Sequence, residues 1–109
     1  MGNPVVYFEI AGPDGQRLRD FYGAAFGWTF DTARVPGYGY VGGAGLDGGI
    51  RQDPPDKVLY VQVPNLAEAL ARITAAGGET LLPPTEVPGV VTFALFKDPA
   101  GNVLGLVRG

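Results

Sequence analysis

The sequence contains no cysteine and no histidine, and its basic residues form no cluster. Without cysteine the chain can form no disulfide bond, iron–sulfur cluster or thiolate nucleophile. Without histidine it lacks the usual protein ligand for zinc, iron, nickel and copper, and the usual general base near neutral pH. Eight Lys and Arg residues against eleven Asp and Glu give a net charge of −3, which is the wrong sign for a nucleic-acid-binding protein.

Membrane and secretion signals are also missing from the sequence. No apolar run approaches the roughly eighteen consecutive residues that a bilayer-spanning helix needs. The N-terminal letters MGNPVV include no charged segment followed by an apolar one, which a secretory signal peptide would require. We therefore expect a cytoplasmic protein that binds neither a membrane nor a nucleic acid.

The composition instead predicts one small, turn-rich globular domain over residues 1–109. The chain has 18 glycines and 10 prolines, a share close to that of disordered proteins. However, 46% of the residues are hydrophobic and 11% are aromatic, whereas disordered chains have few of either. A compact domain with many short elements and tight turns satisfies both observations.

The predicted elements follow the same order in both halves of the chain. In the first half the strand Pro4–Ala11 precedes an amphipathic helix that begins after Asp14 and ends at Gly27. In the second half the strand Lys57–Val63 precedes a helix that begins after Asn65. Three further strands follow each helix, at residues 28–33, 38–41 and 48–51 in the first half and 79–82, 90–97 and 103–107 in the second. A βαβββ unit therefore occurs twice, over about residues 4–52 and about residues 56–108.

Three segments of this repeat resemble the vicinal oxygen chelate superfamily, which includes glyoxalases, bleomycin-resistance proteins and extradiol dioxygenases. They are the opening strand VVYFEI, the helix end FYGAAFGW and the turn DPAGN before the last strand. The resemblance implies an α+β fold, in which two tandem βαβββ modules form curved mixed sheets around a U-shaped trough. It also implies a homodimer, because related folds pair two such chains. Tyr22, Phe26 and Trp28 of the second segment are expected in the core between helix and sheet.

Metal-binding members of the superfamily take their ligands from four strand positions, two in each module. In this chain those positions are Tyr7, Gly48 or Gly49, Val58 (Asp56 or Lys57 if the register slips), and Gly105. None of the four favoured positions carries an ordinary metal ligand, and a phenol seldom binds a metal alone. The resemblance, with this departure from it, implies a member that holds no metal, and we expect no cofactor.

Strand alternation predicts which side chains line the trough. In the first strand Phe8 faces the helix, so Tyr7 and Glu9 face the trough. In the fifth strand Val61 faces the helix, so Tyr60 faces the trough. The predicted ligand contacts are Tyr7, Glu9, Val58, Tyr60, Gln62, Thr92 and Phe96, with Trp28, Tyr38 and Tyr40 nearby.

These residues leave two functions open. The first is a metal-independent protein, similar to glyoxalases and bleomycin-resistance proteins, that binds an apolar or aromatic small molecule in its trough. The alternative is a metal-independent isomerase, cyclase or lyase, in which Glu9 is the general base and Tyr7 or Tyr60 is the acid. A dimeric subunit without any ligand is a third, simpler possibility.

Glu9 is the residue on which these interpretations differ. A carboxyl group enclosed by apolar walls holds a proton more readily, which suits a general base. The other interpretation pairs Glu9 with Arg51, Lys57 or Arg108, or with a tyrosine hydroxyl, and gives it a structural role. The sequence leaves both interpretations open.

Overall fold

The computed structural model describes residues 2–109, which form two compact units. The first unit is Tyr7–Val58, and the second is Leu59–Gly109 together with the residues up to Val6. The elements in chain order are β1 (Val5–Gly12), α1 (Gly15–Phe26), β2 (Thr29–Asp31), β3 (Tyr38–Gly42), β4 (Asp47–Gln52), β5 (Asp56–Val63), α2 (Leu66–Ala75), β6 (Glu79–Val87), β7 (Val91–Lys97) and β8 (Val103–Arg108).

Both halves of the chain use the same strand topology. In the first, β1 pairs in parallel with β4, β4 pairs antiparallel with β3, and β3 pairs antiparallel with β2. In the second, β5 pairs in parallel with β8, β8 antiparallel with β7, and β7 antiparallel with β6. This correspondence confirms the predicted α+β fold with two tandem βαβββ modules and mixed sheets.

The helices begin at the polar residues that the sequence predicts as caps. The backbone N–H of Arg17 donates to the Asp14 carboxylate over 3.1 Å, and that of Glu68 donates to the Asn65 side chain over 3.0 Å. The first helix ends where Gly27 adopts φ 74°, a left-handed conformation that suits glycine. Neither helix of residues 2–109 is both long and apolar enough to cross a bilayer.

The core of the second unit lies between α2 and its sheet. Val61 and Val63 of β5 face this helix, as the alternation predicts. The fully packed members of the cluster are Val63, Leu66, Ala69, Leu70, Ala94 and Leu106, with Val61, Ile73 and Phe96 packed against them. Burial of these side chains from β5, α2, β7 and β8 holds the second βαβββ unit together.

The aromatic residues at the end of α1 only partly follow the prediction. The Trp28 ring packs against Phe8 of β1 at 5.6 Å and stacks on Tyr22 at 5.1 Å, so Phe8 and Trp28 lie on the helix side of the sheet. Phe26, in contrast, is 65% exposed, so its predicted place in the core is wrong. It is the last residue of α1, and its ring lies next to Tyr22 and Trp28 while most of the residue's surface is in solvent.

Strand β6 is longer than the sequence predicts. It continues from Glu79 through Pro83 and Pro84 to Val87, whereas the prediction ends at Leu82. Proline cannot donate a backbone hydrogen bond and is tolerated at sheet edges. Within its unit β6 pairs with β7 alone, and register shifts on either side of Leu82 accommodate the two prolines.

Candidate functional site

A polar surface covers the face of the first unit's sheet that lies opposite α1. Phe8 is on the helix side, where its ring fills the space that a side chain at Gly48 would need. The alternation of β1 therefore places Tyr7 and Glu9 on the other side, as predicted. Tyr38 of β3 reaches over Gly49 onto this same side.

Four side chains on this face form one hydrogen-bonded group, which we call the Glu9 network. The hydroxyl groups of Tyr7 and Tyr38 lie 2.6 Å apart, and the Tyr38 hydroxyl donates to Glu9 Oε2 over 2.8 Å. Arg51 Nε lies 3.0 Å from Glu9 Oε1. The network thus joins two phenols, a carboxylate and a guanidinium from β1, β3 and β4.

Glu9 is a buried charge with its partners in place. It is 9% exposed, and its two oxygens contact different groups, Arg51 and Tyr38. A buried carboxylate is tolerated when it is both paired and hydrogen-bonded, because those contacts offset its lost hydration. The structure thus contains two of the partners that the sequence suggested for Glu9, Arg51 and a tyrosine hydroxyl.

Arg51 connects Glu9 to the segment that follows β4 and to the first residue of β5. Its Nη1 lies 2.9 Å from Asp53 Oδ2, and its Nη2 lies 3.8 Å from Asp56 Oδ2. One guanidinium therefore contacts three carboxylates, so the local charge is negative. Asp53 and Asp56 are exposed, and their ion pairs contribute less than the one with Glu9 because water screens them.

Gly49 makes room for the network. A Cβ atom at this position would lie 1.7 Å from the Tyr38 hydroxyl oxygen and 2.2 Å from its Cζ. Any larger residue would displace the ring, so the path from Tyr38 to Glu9 depends on glycine here. The sequence analysis placed Tyr38 only near the site. The pattern that could have identified it is the alternating YGY of β3, because this segment pairs with the part of β4 that contains two adjacent glycines.

Burial makes both phenols of the network poor acids. It raises the pKa of Tyr7 from 10.0 to about 12, where the charge of Glu9 adds to the effect and the hydrogen bond with Tyr38 opposes it. Burial and the neighbouring Glu9 charge raise the pKa of Tyr38 still further. Both hydroxyls therefore keep their protons through the physiological range.

We expect ¹³C NMR titration of the tyrosine Cζ atoms to give a pKa midpoint of about 12 for Tyr7. Tyr38 should remain neutral to the highest pH at which the protein is folded. Because the folded-state pKa of Tyr7 is raised, the protonated phenol favours folding below pH 10.0, and this contribution disappears between pH 10.0 and about 12. Tyr7→Phe should remove that part of the alkaline loss of stability. A midpoint of 10.0 for Tyr7 would contradict this description of the network.

The residues present do not fit the metal site that the resemblance implies. At Gly49 the Tyr38 hydroxyl fills the space of a ligand side chain, and at Gly105 the Tyr60 ring does so, 2.2 Å from where a Cβ would lie. Tyr7 is hydrogen-bonded to Tyr38, and Val58 is an apolar, buried residue. Within residues 2–109 no three Asp or Glu residues come together as a candidate metal-binding group.

The predicted residues of the second unit occupy two different faces of its sheet. Tyr60 is opposite Gly105, and Gln62 is two residues further along β5, so both face away from α2. Phe96 packs instead against the cluster beneath α2, and Thr92 has the same parity on β7. The placement of Thr92 and Phe96 beside Tyr60 is therefore corrected. Their predicted placement did not use alternation along β7, and the face of this strand follows from its pairing with β8.

Tyr7 and Glu9 are thus brought together by the structure, and Arg51 and Tyr38 join them. The roles of Tyr60, Gln62 and Val58 as ligand contacts stay predictions. Val58 is 4% exposed, and Tyr60 is 8% exposed. Thr92 lies beside an open cavity that Glu86 and Arg108 also line.

Comparison with known proteins gives consistent matches over almost the whole chain. Residues 7–107 match the family described as "Glyoxalase-like domain". The anthracycline biosynthesis protein DnrV of Streptomyces peucetius is 27% identical over 94% of this chain and 46% of its own length. The chain therefore spans less than half the length of this curated relative.

Solved structures share the fold at low sequence identity. Methylmalonyl-CoA epimerase from Mycobacterium tuberculosis superposes with a TM-score of 0.70 at 14% identity, over 95% of this chain and 86% of the other. A glyoxalase/bleomycin resistance protein/dioxygenase superfamily member from Vibrio splendidus 12B01 superposes with a TM-score of 0.69 at 15% identity, over 99% and 100%. Structural likeness at this level of sequence identity shows a common fold. The chemistry has to be argued from the residues of the site.

Proposed function

Because the chain belongs to the glyoxalase-like domain family, and with it to the vicinal oxygen chelate superfamily, we propose that it is a metal-independent binding protein for a planar, apolar or aromatic small molecule. The observation that carries the proposal is the Glu9 network, a buried polar group on a sheet face lined by half-buried tyrosines. Small-molecule sites combine an apolar or aromatic lining with a few fixed polar groups.

Aromatic rings beside the network suit a planar ligand. Tyr38 and Tyr40 form an edge-to-face pair with ring centres 5.0 Å apart, and the Arg34 guanidinium lies 4.1 Å from the centre of the Tyr40 ring. Rings in such pairs present flat apolar surface together with polar edges. The name of the Streptomyces relative, which refers to anthracycline biosynthesis, supports a small-molecule ligand over a macromolecular one.

Metal independence is proposed from the donor set. At two of the four positions used by metal-binding members the side chain is absent, and a tyrosine occupies its space. A metal would need several oxygen, nitrogen or sulfur donors directed at one point. The described residues offer two phenols and one carboxylate that already bond to one another and to Arg51.

A thermal-shift screen of planar aromatic compounds tests this function. A ligand that binds only the folded state raises the melting temperature. At a ligand concentration one hundred times its Kd, the free energy of unfolding increases by about 2.7 kcal/mol. We expect such hits with the wild type and weaker shifts with Tyr38→Phe, which breaks the network. Tyr22→Phe, which alters a tyrosine of α1 on the other side of the sheet, is the matched control. Equal loss in both variants, or no hit in the library, would contradict the proposal.

The alternative function is a metal-independent isomerase, cyclase or lyase with Glu9 as the base. The specific observation in its favour is the unbroken hydrogen-bonded path from Tyr7 through Tyr38 to Glu9, along which a proton can move without a large rearrangement. A methylmalonyl-CoA epimerase shares the fold, but at 14% sequence identity this likeness carries no argument about activity. The support for the enzymatic alternative is therefore the Glu9 network itself. Tyr60 as the acid of this reaction remains a proposal from the sequence.

We further propose that the protein works in the cytoplasm as a homodimer, with the exposed aromatic rings of α1 in the interface. Phe21 is 59% and Phe26 65% exposed, and exposed clusters of large apolar rings mark interaction sites. The occupant we propose is a second copy of the chain, since the relatives are more than twice as long as the matched region and a second copy supplies comparable length.

Light scattering over a range of concentrations should give twice the chain mass of 11.4 kDa. The double variant Phe21→Ser with Phe26→Ser should shift the mass to that of the monomer. Val90→Ser, at an exposed apolar residue between β6 and β7, should leave the dimer intact. A wild-type mass of 11.4 kDa at all concentrations would refute the dimer.

A further inference from the structure

Arg34 is linked to the Glu9 network through two tyrosine rings. It belongs to the connection between β2 and β3, and its guanidinium carbon lies 4.1 Å from the centre of the Tyr40 ring, over the face of that ring. Tyr38 and Tyr40 are two residues apart on β3, so both rings lie on the same face of the sheet. Arg34 therefore adds a positive charge to the face that carries the network.

The contact with Tyr40 holds the exposed Arg34 side chain in position. Tyr40 packs edge-to-face against Tyr38 with ring centres 5.0 Å apart, and the Tyr38 hydroxyl donates to Glu9 over 2.8 Å. Arg34 thus lies on a ring whose neighbour is anchored in the sheet. A side chain that is already held in place loses less conformational freedom when a ligand binds to it.

The Arg34 guanidinium keeps its hydrogen-bond donors for a ligand. A contact with the face of a ring is a cation–π interaction, which does not use the N–H groups. The carboxylate of Asp31, opposite Tyr40 in the register of β2 and β3, accepts instead from the backbone N–H of Ala33. Among residues 2–109 no Asp or Glu forms an ion pair with Arg34, whereas Arg51 contacts three carboxylates. An anion on this face therefore meets uncompensated positive charge at Arg34 and compensated charge at Arg51.

We infer that Arg34 binds the acidic group of the ligand, and that the protein selects planar aromatic molecules with a carboxylate over neutral molecules of the same shape. A guanidinium offers parallel N–H donors that match the two oxygens of a carboxylate. The flat body of such a ligand packs against the rings of Tyr38 and Tyr40. The inference rests on the proposed function, because it assumes that the ligand lies on this face.

The net charge of the chain makes a test of this inference specific. At −3 the protein as a whole repels anions, so a preference for an anionic ligand requires a local cation. The probes 2-naphthoate and 2-naphthamide have nearly the same planar shape, and only the first is charged at neutral pH. In NMR titrations of the wild type at low ionic strength we expect 2-naphthoate to bind about 5- to 10-fold more tightly than 2-naphthamide, the scale of one charge-assisted hydrogen bond that water partly screens.

Three variants assign this preference to a residue. Arg34→Gln should remove it by weakening the binding of 2-naphthoate, with the binding of 2-naphthamide nearly unchanged. Arg34→Lys keeps the charge but not the planar pair of donors, and it should retain part of the preference. Arg17→Gln removes the same charge from an exposed residue of α1 and should retain the wild-type ratio.

The possible outcomes separate this inference from the proposed function. Equal binding of both probes to the wild type, or an unchanged ratio in Arg34→Gln, overturns the inference and leaves small-molecule binding intact. If Arg17→Gln loses the preference as fully as Arg34→Gln does, the overall charge is its cause and the inference is again overturned. If neither probe binds, the proposed ligand class is wrong, and the inference is wrong with it.

Discussion

Replacing Gly49 by alanine is expected to destabilise the protein by about 2–3 kcal/mol, although a glycine-to-alanine change inside a strand ordinarily stabilises. The new Cβ would lie 1.7 Å from the Tyr38 hydroxyl, a distance that no real contact allows. The ring must move, and its hydrogen bonds to Tyr7 and Glu9 break with it. Chemical denaturation measures the loss, and the melting temperature should fall by about 10–20 °C.

Two controls connect this loss to Tyr38. Gly39→Ala, on the neighbouring strand, meets the flexible Arg19 side chain at 2.7 Å and should cost less than about 1 kcal/mol. In a Tyr38→Ala background the obstruction is gone, so Gly49→Ala should cost little, and a double-mutant cycle should give a large coupling energy. If Gly49→Ala is harmless in the wild type, Tyr38 does not occupy the position that the network requires.

Glu9→Gln is expected to lower the rate of any proton abstraction by about 100-fold or more. A suitable probe is 2-tetralone, whose planar body carries an acidic C–H group. In D₂O the proton would leave carbon for the Tyr7 oxygen as the Tyr7 proton moves to Tyr38 and that of Tyr38 moves to Glu9. Glu9 then exchanges its proton for a deuteron of the solvent, and the transfers run in reverse along the same path to place the deuteron on the carbon. NMR measures the exchange rate directly, and no oxidant or reductant is needed.

Several outcomes distinguish catalysis from binding. Exchange that the wild type accelerates and Glu9→Gln slows would support the enzymatic alternative, and Tyr38→Phe should slow it as well because the path is cut. If the wild type gives no exchange above the buffer rate, the alternative is refuted for this class of C–H acid. For a protein that only binds, Glu9→Gln should alter affinity by about 1–3 kcal/mol through hydrogen bonds to a charged group.

Most of the fold could be predicted because it depends on local signals. Asp14 and Asn65 are helix caps whose effect is confined to one turn, and both predictions are confirmed. Alternation along β1 and β5 depends only on residues next to each other in the chain. The extension of β6 through two prolines could not be predicted, since it depends on the position of that strand at the edge of its unit.

The site was predicted only in part, for a similar reason. Tyr7 and Glu9 are two residues apart on one strand, so alternation alone places them on one face. The contact of Tyr38 with Glu9 spans three strands and depends on the register of β3 against β4 and on the missing side chain at Gly49. Register is set by long-range pairing, which a single sequence does not reveal. Arg51 was one of three candidate partners of Glu9, and the pairing of β1 with β4 brings it next to Glu9.

The most direct test of the central claim is an NMR titration of the wild-type protein with indole, followed through backbone amide shifts. If the ligand binds on the face of the Glu9 network, the largest amide shift changes should occur at Tyr7, Glu9, Tyr38 and Gly49. In Tyr38→Ala, indole should leave the amide shifts at these four positions unchanged. Shift changes confined to the apolar groove beside α2, which is lined by Val61, Ile73 and Phe96, would contradict a ligand site at the Glu9 network.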